Sequence, residues 1–325
     1  MKIGIIGGGA WGTALAQVIA EGGEDIMLWA YEPEVVAAIN ETHVNTPFLN
    51  SVRLNPNIIA TGALGDLRAC DVLLAVTPAQ HLRAILADAV IGVRPLILCS
   101  KGIESGTQML MSEVAKQTCP DAPIAVLSGP TFAQEVAGGL PTAVTLACED
   151  TVLARMLAIR LARPHFRPYV SNDVIGAEIG GAVKNVLAIA CGVVAGRGLG
   201  QNAGAALIAR GFAEMTRFGL ARGAQAETLA GLSGLGDLVL TCSSTNSRNF
   251  SLGVGLGEGK SATALMADRK TIAEGAFTAP VLQQAAKVAG IEMPVVDAVC
   301  ALLDGSANVD DVVLALLSRP LRIEG

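Results

Sequence analysis

Apolar and polar positions fall into two regimes along this chain. Through the first half, short aliphatic and β-branched runs alternate with stretches whose apolar residues return at helical spacing. "KIGIIG" predicts a strand, a glycine turn follows, and Leu15, Val18 and Ile19 then mark one face of a helix. The alternation continues through "IMLWA" (26–30), "VLLAVTP" (72–78), "AQHLRAILADAV" (79–90), "PLILCSKG" (95–102), "GTQMLMSEVAKQ" (106–117), "IAVLSGP" (124–130) and "TAVTLAC" (142–148). Near-continuous apolar strands with helices between them predict a doubly wound sheet. From about Asp173 the strands fade, and helical segments dominate at 173–196, 202–221, 226–232 and onward. The expected fold class is therefore α/β: an N-terminal Rossmann-type doubly wound, mostly parallel sheet over residues 1–180, followed by a C-terminal all-helical domain over residues 181–325. A change of this kind predicts an active site where the two domains meet.

The length of 325 residues suits one large or two ordinary domains. Half of the chain is apolar (51%), only 16% is charged, and the mean hydropathy is +0.51, so much of it must be buried against itself, a partner subunit or lipid. A spanning helix needs about 20 consecutive apolar residues. The longest apolar stretch, from Val186, is interrupted by glycines and ends near Arg197, so a chain without an integral membrane segment is expected. The apolar surplus points to a homo-oligomer, with a homodimer expected. The glycines at 7, 8, 9 and 12 and the acidic residues Glu21, Glu24 and Asp25 speak against a secretory signal at the start.

With a net charge of −6 and no long run of like charge, the chain lacks a field to hold nucleic acid, although a small phosphate ester needs only one or two cations. Seven scattered cysteines without C-x-x-C fit reduced, buried thiols of a cytoplasmic protein. The three histidines, His43, His81 and His165, have no ligand-like spacing, and no metal is expected.

Gly7, Gly9 and Gly12 fit G-x-G-x-x-G between a strand and a helix, the register in which backbone amides meet a pyrophosphate. Alone, three glycines also describe a tight turn with no ligand. Glu32 lies near the usual position of a ribose-binding acid, beside Tyr31 and without an adjacent arginine; it equally fits the cap of the next helix. The choice between NADH and NADPH therefore stays open.

Polar residues gather where strands end: Thr77 and Pro78, then Ser100, Lys101 and Gly102, then Ser128 to Glu135. In the helical half, three places resist a purely structural account. Lys184 and Asn185 interrupt "GGAVKNVLAIACGVVAG", Asp237 stands in "GLSGLGDLVLTC", and Ser247, Arg248 and Asn249 close a polar stretch. Snorkelling would explain Lys184 and capping would explain Asp237, Ser247 and Asn249. A buried ammonium is costly unless paired, and Asp237 is a candidate partner for Lys184. Arg248 among hydroxyl and amide groups suits a phosphate.

Taken in order, "IGGGAWGTALA", "SKGIE", "LSGPTFAQEVAGGLPTAV", "GGAVKNVLAIACGVVAG", "GLGDLVLTC", "SRN" and "AEGAFTA" make the chain closely resemble the bacterial NAD(P)-dependent glycerol-3-phosphate dehydrogenases over nearly its whole length. The resemblance implies reversible, NAD(P)H-dependent reduction of dihydroxyacetone phosphate to sn-glycerol 3-phosphate, which supplies glycerophospholipid synthesis. It also implies roles for residues. Lys184 corresponds to the proton-transferring lysine, with Lys101, Asn185, Asp237 and Thr241 at the reacting end. Lys101, Gly129, Thr131, Lys184, Asp237, Ser247, Arg248 and Asn249 fall at substrate positions. Gly7, Gly9, Ala10, Trp11, Gly12, Tyr31, Lys101, Ala133, Arg248, Ile272 and Glu274 fall at cofactor positions.

The chain departs from its relatives at three points. Ala10 stands where serine is frequent, Tyr31 where arginine or histidine is frequent, and Asn50 where a proline often follows "FL". A hydroxy-acid or 6-phosphogluconate dehydrogenase would share the first domain without needing "GLGDL" and "SRN". A dinucleotide sensor would not need Lys184, and a structural protein would need neither feature.

Overall fold

The computed structural model describes residues 1–267 and 273–318. Eight strands form one sheet: β1 (Ile3–Ile6), β2 (Ile26–Trp29), β3 (Ile58–Thr61), β4 (Val72–Ala75), β5 (Leu96–Leu98), β6 (Ile124–Ser128), β7 (Thr142–Cys148) and β8 (Phe166–Ser171). Their order is β3-β2-β1-β4-β5-β6-β7-β8, and all neighbours are parallel except β6 and β7, which run antiparallel. The sheet is thus the mostly parallel, doubly wound one that the alternating pattern predicts.

Side chains alternate across each strand and build a layer on both faces. On one face Ile3, Ile5, Leu28, Val72, Leu74 and Ile97 pack with Leu15, Val18 and Ile19 of the helix Ala10–Ala20. On the other, Ile6, Trp29, Leu73, Leu96 and Leu98 pack with Leu82, Leu86, Met111 and Val114. Two strands fall outside the predicted runs, and both lie at edges of the sheet. In β3 only Ile58 and Ala60 are buried while Ile59 is exposed, and β8 carries Arg167, Pro168 and Tyr169. Burial on one side leaves no continuous apolar run to read, and a proline is tolerated at an edge because its missing N–H faces outward.

The chain parts into two compact units, Met1–Gly181 with Ala224–Asp237, and Ala182–Gly223 with Leu238–Gly325. The short segment Ala224–Asp237, although it belongs to the helical half in sequence, therefore packs within the sheet-bearing unit. It holds the helix Ala226–Leu229 and a π-turn, Leu232–Gly236, ahead of Asp237.

The second unit is helical among the described residues, with Gln201–Ala221, Arg248–Gly257, Glu274–Val288, Pro294–Leu303 and Val309–Leu317 as its longer helices. The 23-residue helix Val174–Gly196 is long and apolar enough to cross a membrane by length and composition alone, but 83% of its apolar window is buried inside the protein. Its apolar character is accounted for by a core position.

Two buried glutamates tie helices from outside. The helix Met111–Thr118 begins at Leu110, which cannot cap with its side chain; Glu178 takes that task, its Oε1 accepting from Ser112 N at 2.7 Å and its Oε2 from Ser112 Oγ at 2.5 Å. In the second unit, Glu214 Oε1 accepts from Val295 N at 2.9 Å in the first turn of Pro294–Leu303. Burial pushes each carboxyl up to about 7, against the hydrogen bonds that favour its charge.

Between the ordinary value of 4.5 and about 7, the folded protein holds a proton at Glu178 that the unfolded chain releases. Its contribution to stability is full below that window and declines as pH rises through it. We expect Glu178→Gln to retain the fold and to lose less stability than wild type between pH 5 and 8 in urea titrations. An unchanged pH dependence would show that Glu178 stays charged in the folded state.

Candidate active site

The glycine turn after β1 is built by backbone contacts. Gly7 adopts φ +129°, and a Cβ there would lie 2.6 Å from Val76 O; a Cβ at Gly12 would lie 1.9 Å from Gly7 O. Gly7 N donates to Trp29 O at 2.9 Å, which fastens the turn to β2. At Gly9, by contrast, an added Cβ meets nothing within 4 Å. Gly9 occupies the N-cap position of Ala10–Ala20 without a capping side chain. Among the described residues no acceptor meets the N–H groups of Gly9, Ala10 and Trp11. A row of open amides at the positive end of a helix, facing unfilled space beside a buried and unpartnered Trp11 Nε1, fits a dinucleotide pyrophosphate. The order of strands reverses between β1 and β4, where ligands of such sheets collect.

Other predicted cofactor positions are spread around this turn. Tyr31 follows β2 and is 81% exposed. Glu32 takes the N-cap position of Pro33–Thr42 but makes no capping bond, so that carboxylate is not spent on the helix. Ala133 opens the helix Ala133–Ala137 and packs on the sheet core alongside Trp11. In the second unit Glu274 opens Glu274–Val288, while Ile272 lies outside the described residues.

A charged cluster forms at the carboxyl ends of β5 and β6. Lys101 Nζ donates to Asp237 Oδ2 at 2.6 Å and to Gly129 O at 3.3 Å. Asp237 is fully buried, and the Lys101 side chain is 15% exposed. The loop carrying Lys101 is pinned from several sides. Ser100 Oγ donates to Thr77 O at 2.5 Å, Gln80 Nε2 to Ile103 O at 2.8 Å, and Arg83 grips both oxygens of Glu104 at 2.7 and 2.8 Å. The hydrogen bonds from Arg83 hold the Glu104 carboxyl below its usual range. Thr131 Oγ1 turns back to Gly129 O at 3.3 Å, beside the lysine's second contact.

A second cluster lies in the helical unit. Lys184 is 6% exposed, and its Nζ donates to Thr241 Oγ1 at 3.0 Å. It is therefore a buried lysine and does not snorkel to the surface. Asn249 Nδ2 donates to Asn185 Oδ1 at 3.0 Å, and Asn249 Oδ1 accepts from Gly275 N at 2.9 Å. A backbone N–H can only donate, so this chain fixes both amides: Asn185 must accept from Asn249, and its own NH₂ is directed elsewhere. Ser247 caps Arg248–Gly257, accepting from Phe250 N at 3.2 Å, and Arg248 is exposed in the first turn.

The structure sets apart two further polar groups, of which the sequence marks Ser128 as a strand-end residue and does not mark Ser233. Ser128 Oγ, at the end of β6, and Ser233 Oγ, in the π-turn, are buried with no partner among the described residues. A Cβ at Gly181 would lie 3.1 Å from Ser128 Oγ and 3.2 Å from Lys101 Cγ, so this hydroxyl stands beside the lysine stem. Thr77 Oγ1, at another strand end marked in the sequence, is equally orphaned among the described residues. An orphaned buried hydroxyl costs about 1–3 kcal/mol, a cost that a ligand can relieve. In the sequence Ser128 is marked by its place at the end of an apolar run, before Gly129.

A doubly wound sheet with an open glycine turn, and lysines held by hydroxyl and carboxylate groups, define a nicotinamide-dinucleotide-dependent dehydrogenase. Residues 2–154 match the family described as NAD-dependent glycerol-3-phosphate dehydrogenase N-terminus, and residues 173–314 match its C-terminus counterpart. The chain belongs to this family. It is 63% identical over 323 residues to the glycerol-3-phosphate dehydrogenase (NAD(P)+) of Erythrobacter litoralis, covering 99% of this chain and 98% of that one. It is 64% identical over 326 residues to the enzyme of that name from Novosphingobium aromaticivorans, with the same coverage. The crystal structure of glycerol-3-phosphate dehydrogenase from Coxiella burnetii superposes with a TM-score of 0.92 at 37% identity, covering 98% of this chain and 99% of the other.

The Lys101–Asp237 pair is unequally buried, which makes its two halves distinguishable. Lys101→Met deprives a fully buried carboxylate of a counter-charge, whereas Asp237→Asn leaves a cation that reaches solvent. We expect the lysine variant to lose more stability, by about 2 kcal/mol or more, in urea denaturation at neutral pH. Equal losses would mean that the buried carboxylate draws little from this ammonium.

Proposed function

We propose that this chain catalyses the reversible reduction of dihydroxyacetone phosphate to sn-glycerol 3-phosphate with NADH or NADPH, using Lys184 as general acid and base. The observation that carries the reading is the lysine itself, an ammonium enclosed in an apolar helix and tethered to a hydroxyl, with an amide of fixed polarity next to it. When bound, the nicotinamide supplies the hydride. Lys184 Nζ gives a proton to the substrate oxygen as negative charge grows there, and takes it back in oxidation. Thr241 holds that ammonium in place. Asn185, obliged to present its NH₂, stabilises the same oxygen.

Lys101 is assigned to the reacting end together with Asp237, whose carboxylate keeps it charged and aimed. Gly129 and Thr131 complete that side of the substrate. Arg248 clamps the phosphate through its planar guanidinium, with Asn249 beside it; Ser247 can donate its hydroxyl proton while still accepting from Phe250 N. Holding the phosphate orients the ketone, so binding remote from the chemistry serves the reaction. Gly7, Gly9, Ala10, Trp11 and Gly12 take the pyrophosphate side of the cofactor, and Tyr31, Ala133, Arg248 and Glu274 its remaining length. The absence of an arginine or histidine at Tyr31 removes one attraction for a 2′-phosphate, and both cofactors are therefore tested. A cytoplasmic homodimer that supplies glycerophospholipid synthesis completes the reading.

The assay follows NADH and NADPH oxidation separately with dihydroxyacetone phosphate. Wild type is expected to oxidise at least one of them, and folded protein that oxidises neither would overturn the assignment. Lys184→Ala should lower kcat by about 10²–10⁴-fold; undiminished activity would leave the reaction standing and remove the lysine from it. Arg248→Ala should raise KM for dihydroxyacetone phosphate by about tenfold or more with a smaller change in kcat. An unchanged KM would take the phosphate away from Arg248.

A further inference from the structure

The glycine turn is held from behind by a residue that the family resemblance does not name. Asn45 follows the helix Pro33–Thr42 and is 0% exposed. Its Nδ2 donates to Gly8 O at 2.8 Å and to Thr13 Oγ1 at 2.7 Å, and Thr13 Oγ1 in turn faces Gly8 O at 3.4 Å. Its Oδ1 accepts from Phe48 N at 3.2 Å, which sets the polarity of the amide: with the oxygen committed to a backbone donor, the nitrogen must face Gly8.

The consequence passes through one peptide bond. The Gly8–Gly9 peptide, like every peptide among the described residues, is trans, and in a trans peptide the C=O and the following N–H point in opposite directions. Drawing the Gly8 carbonyl towards Asn45 turns the Gly9 N–H the other way, to the side where a Cβ at Gly9 meets nothing. This peptide lies between two glycines, so its plane is poorly restrained by side chains and can rotate if released. Rotated, it would present a carbonyl oxygen to an anion.

We propose that Asn45 is a positioning residue for dinucleotide binding: by anchoring the Gly8 carbonyl it fixes the Gly9 N–H towards the pyrophosphate. Thr13 is its second support. The proposal rests on the glycine turn as the pyrophosphate site, and predicts a defect specific to the phosphates and indifferent to the base or the substrate.

Affinities for ADP-ribose, which carries the pyrophosphate, and for adenosine, which does not, separate this role from general support of the fold. Calorimetric titration of wild type should show the pyrophosphate compound binding much more tightly. In Asn45→Ala the affinity for ADP-ribose should fall by about tenfold while that for adenosine changes less than about twofold. Asn45→Asp, of the same shape, sets a carboxylate against the Gly8 carbonyl and should lose more. KM should rise for NADH and NADPH alike, and KM for dihydroxyacetone phosphate at saturating cofactor should hold. A parallel loss for both compounds, or for neither, would overturn the proposal even if the melting temperature falls. Equal binding of the two compounds by wild type would overturn the turn as a pyrophosphate site as well. Should Asn45→Ala not fold, Thr13→Val removes one support; it should weaken ADP-ribose about threefold relative to adenosine, and an unchanged ratio would again overturn the proposal.

Discussion

In the helical unit two helices meet main chain to main chain. A Cβ at Gly192 would lie 2.1 Å from Phe250 O, and one at Gly253 would lie 2.0 Å from Ile189 O. Glycine alone permits that separation, and the polar residues nearby depend on it. Two turns before Gly192, Asn185 meets Asn249 at 3.0 Å, and Asn249 reaches Gly275 N at 2.9 Å. Side chains as short as asparagine bridge helices only when the backbones are this close. The small residues of "GGAVKNVLAIACGVVAG" thus do more than fill a core: they set the distance at which the amide next to Lys184 acquires a fixed direction.

Much of the fold is legible because its signals are local. Four-residue apolar strands such as Ile3–Ile6 and Val72–Ala75 are buried on both faces and read as uninterrupted runs. β3 and β8 escape because an edge strand is buried on one side only, and Arg167, Pro168 and Tyr169 are ordinary residues for that position. The return of Ala224–Asp237 to the sheet-bearing unit is not local at all. Nothing in its own composition marks it, since what holds it there is tertiary: Gln225 N on Asp173 and the Asp237 carboxylate on Lys101.

The candidate site divides in the same way. Lys184 and Asp237 stand out in sequence as charges among apolar and small residues, and Lys101 and Arg248 as cations in polar stretches, at a strand end and ahead of a helix. Their partners do not stand out. Asp237 reads as a cap or as company for Lys184, and the structure shows Lys101, more than a hundred residues away in sequence, among its partners. In sequence Ser247 is open to capping or binding alike, and in the structure it caps. Asn45, Ser128 and Glu178 are uncharged or common residue types whose meaning lies in burial and in which atom faces them, and periodicity reports neither.

Two of these polar chains share a logic. From Gly275 N through Asn249 to Asn185, and from Phe48 N through Asn45 to the Gly8 carbonyl, a backbone N–H begins the sequence of bonds. Side-chain amides can exchange donor and acceptor ends at small cost, but a backbone N–H cannot. Starting from one therefore removes the ambiguity from every amide downstream, and each chain ends with a donor that has no acceptor among the described residues. In the first it is the Asn185 NH₂, in the second the Gly9 N–H. Donors fixed in advance need no reorganisation when negative charge arrives, which is the condition under which a hydrogen bond contributes most to an oxyanion or a phosphate. On this reading, buried asparagines without charge of their own decide whether the groups that meet the anion do so as donors.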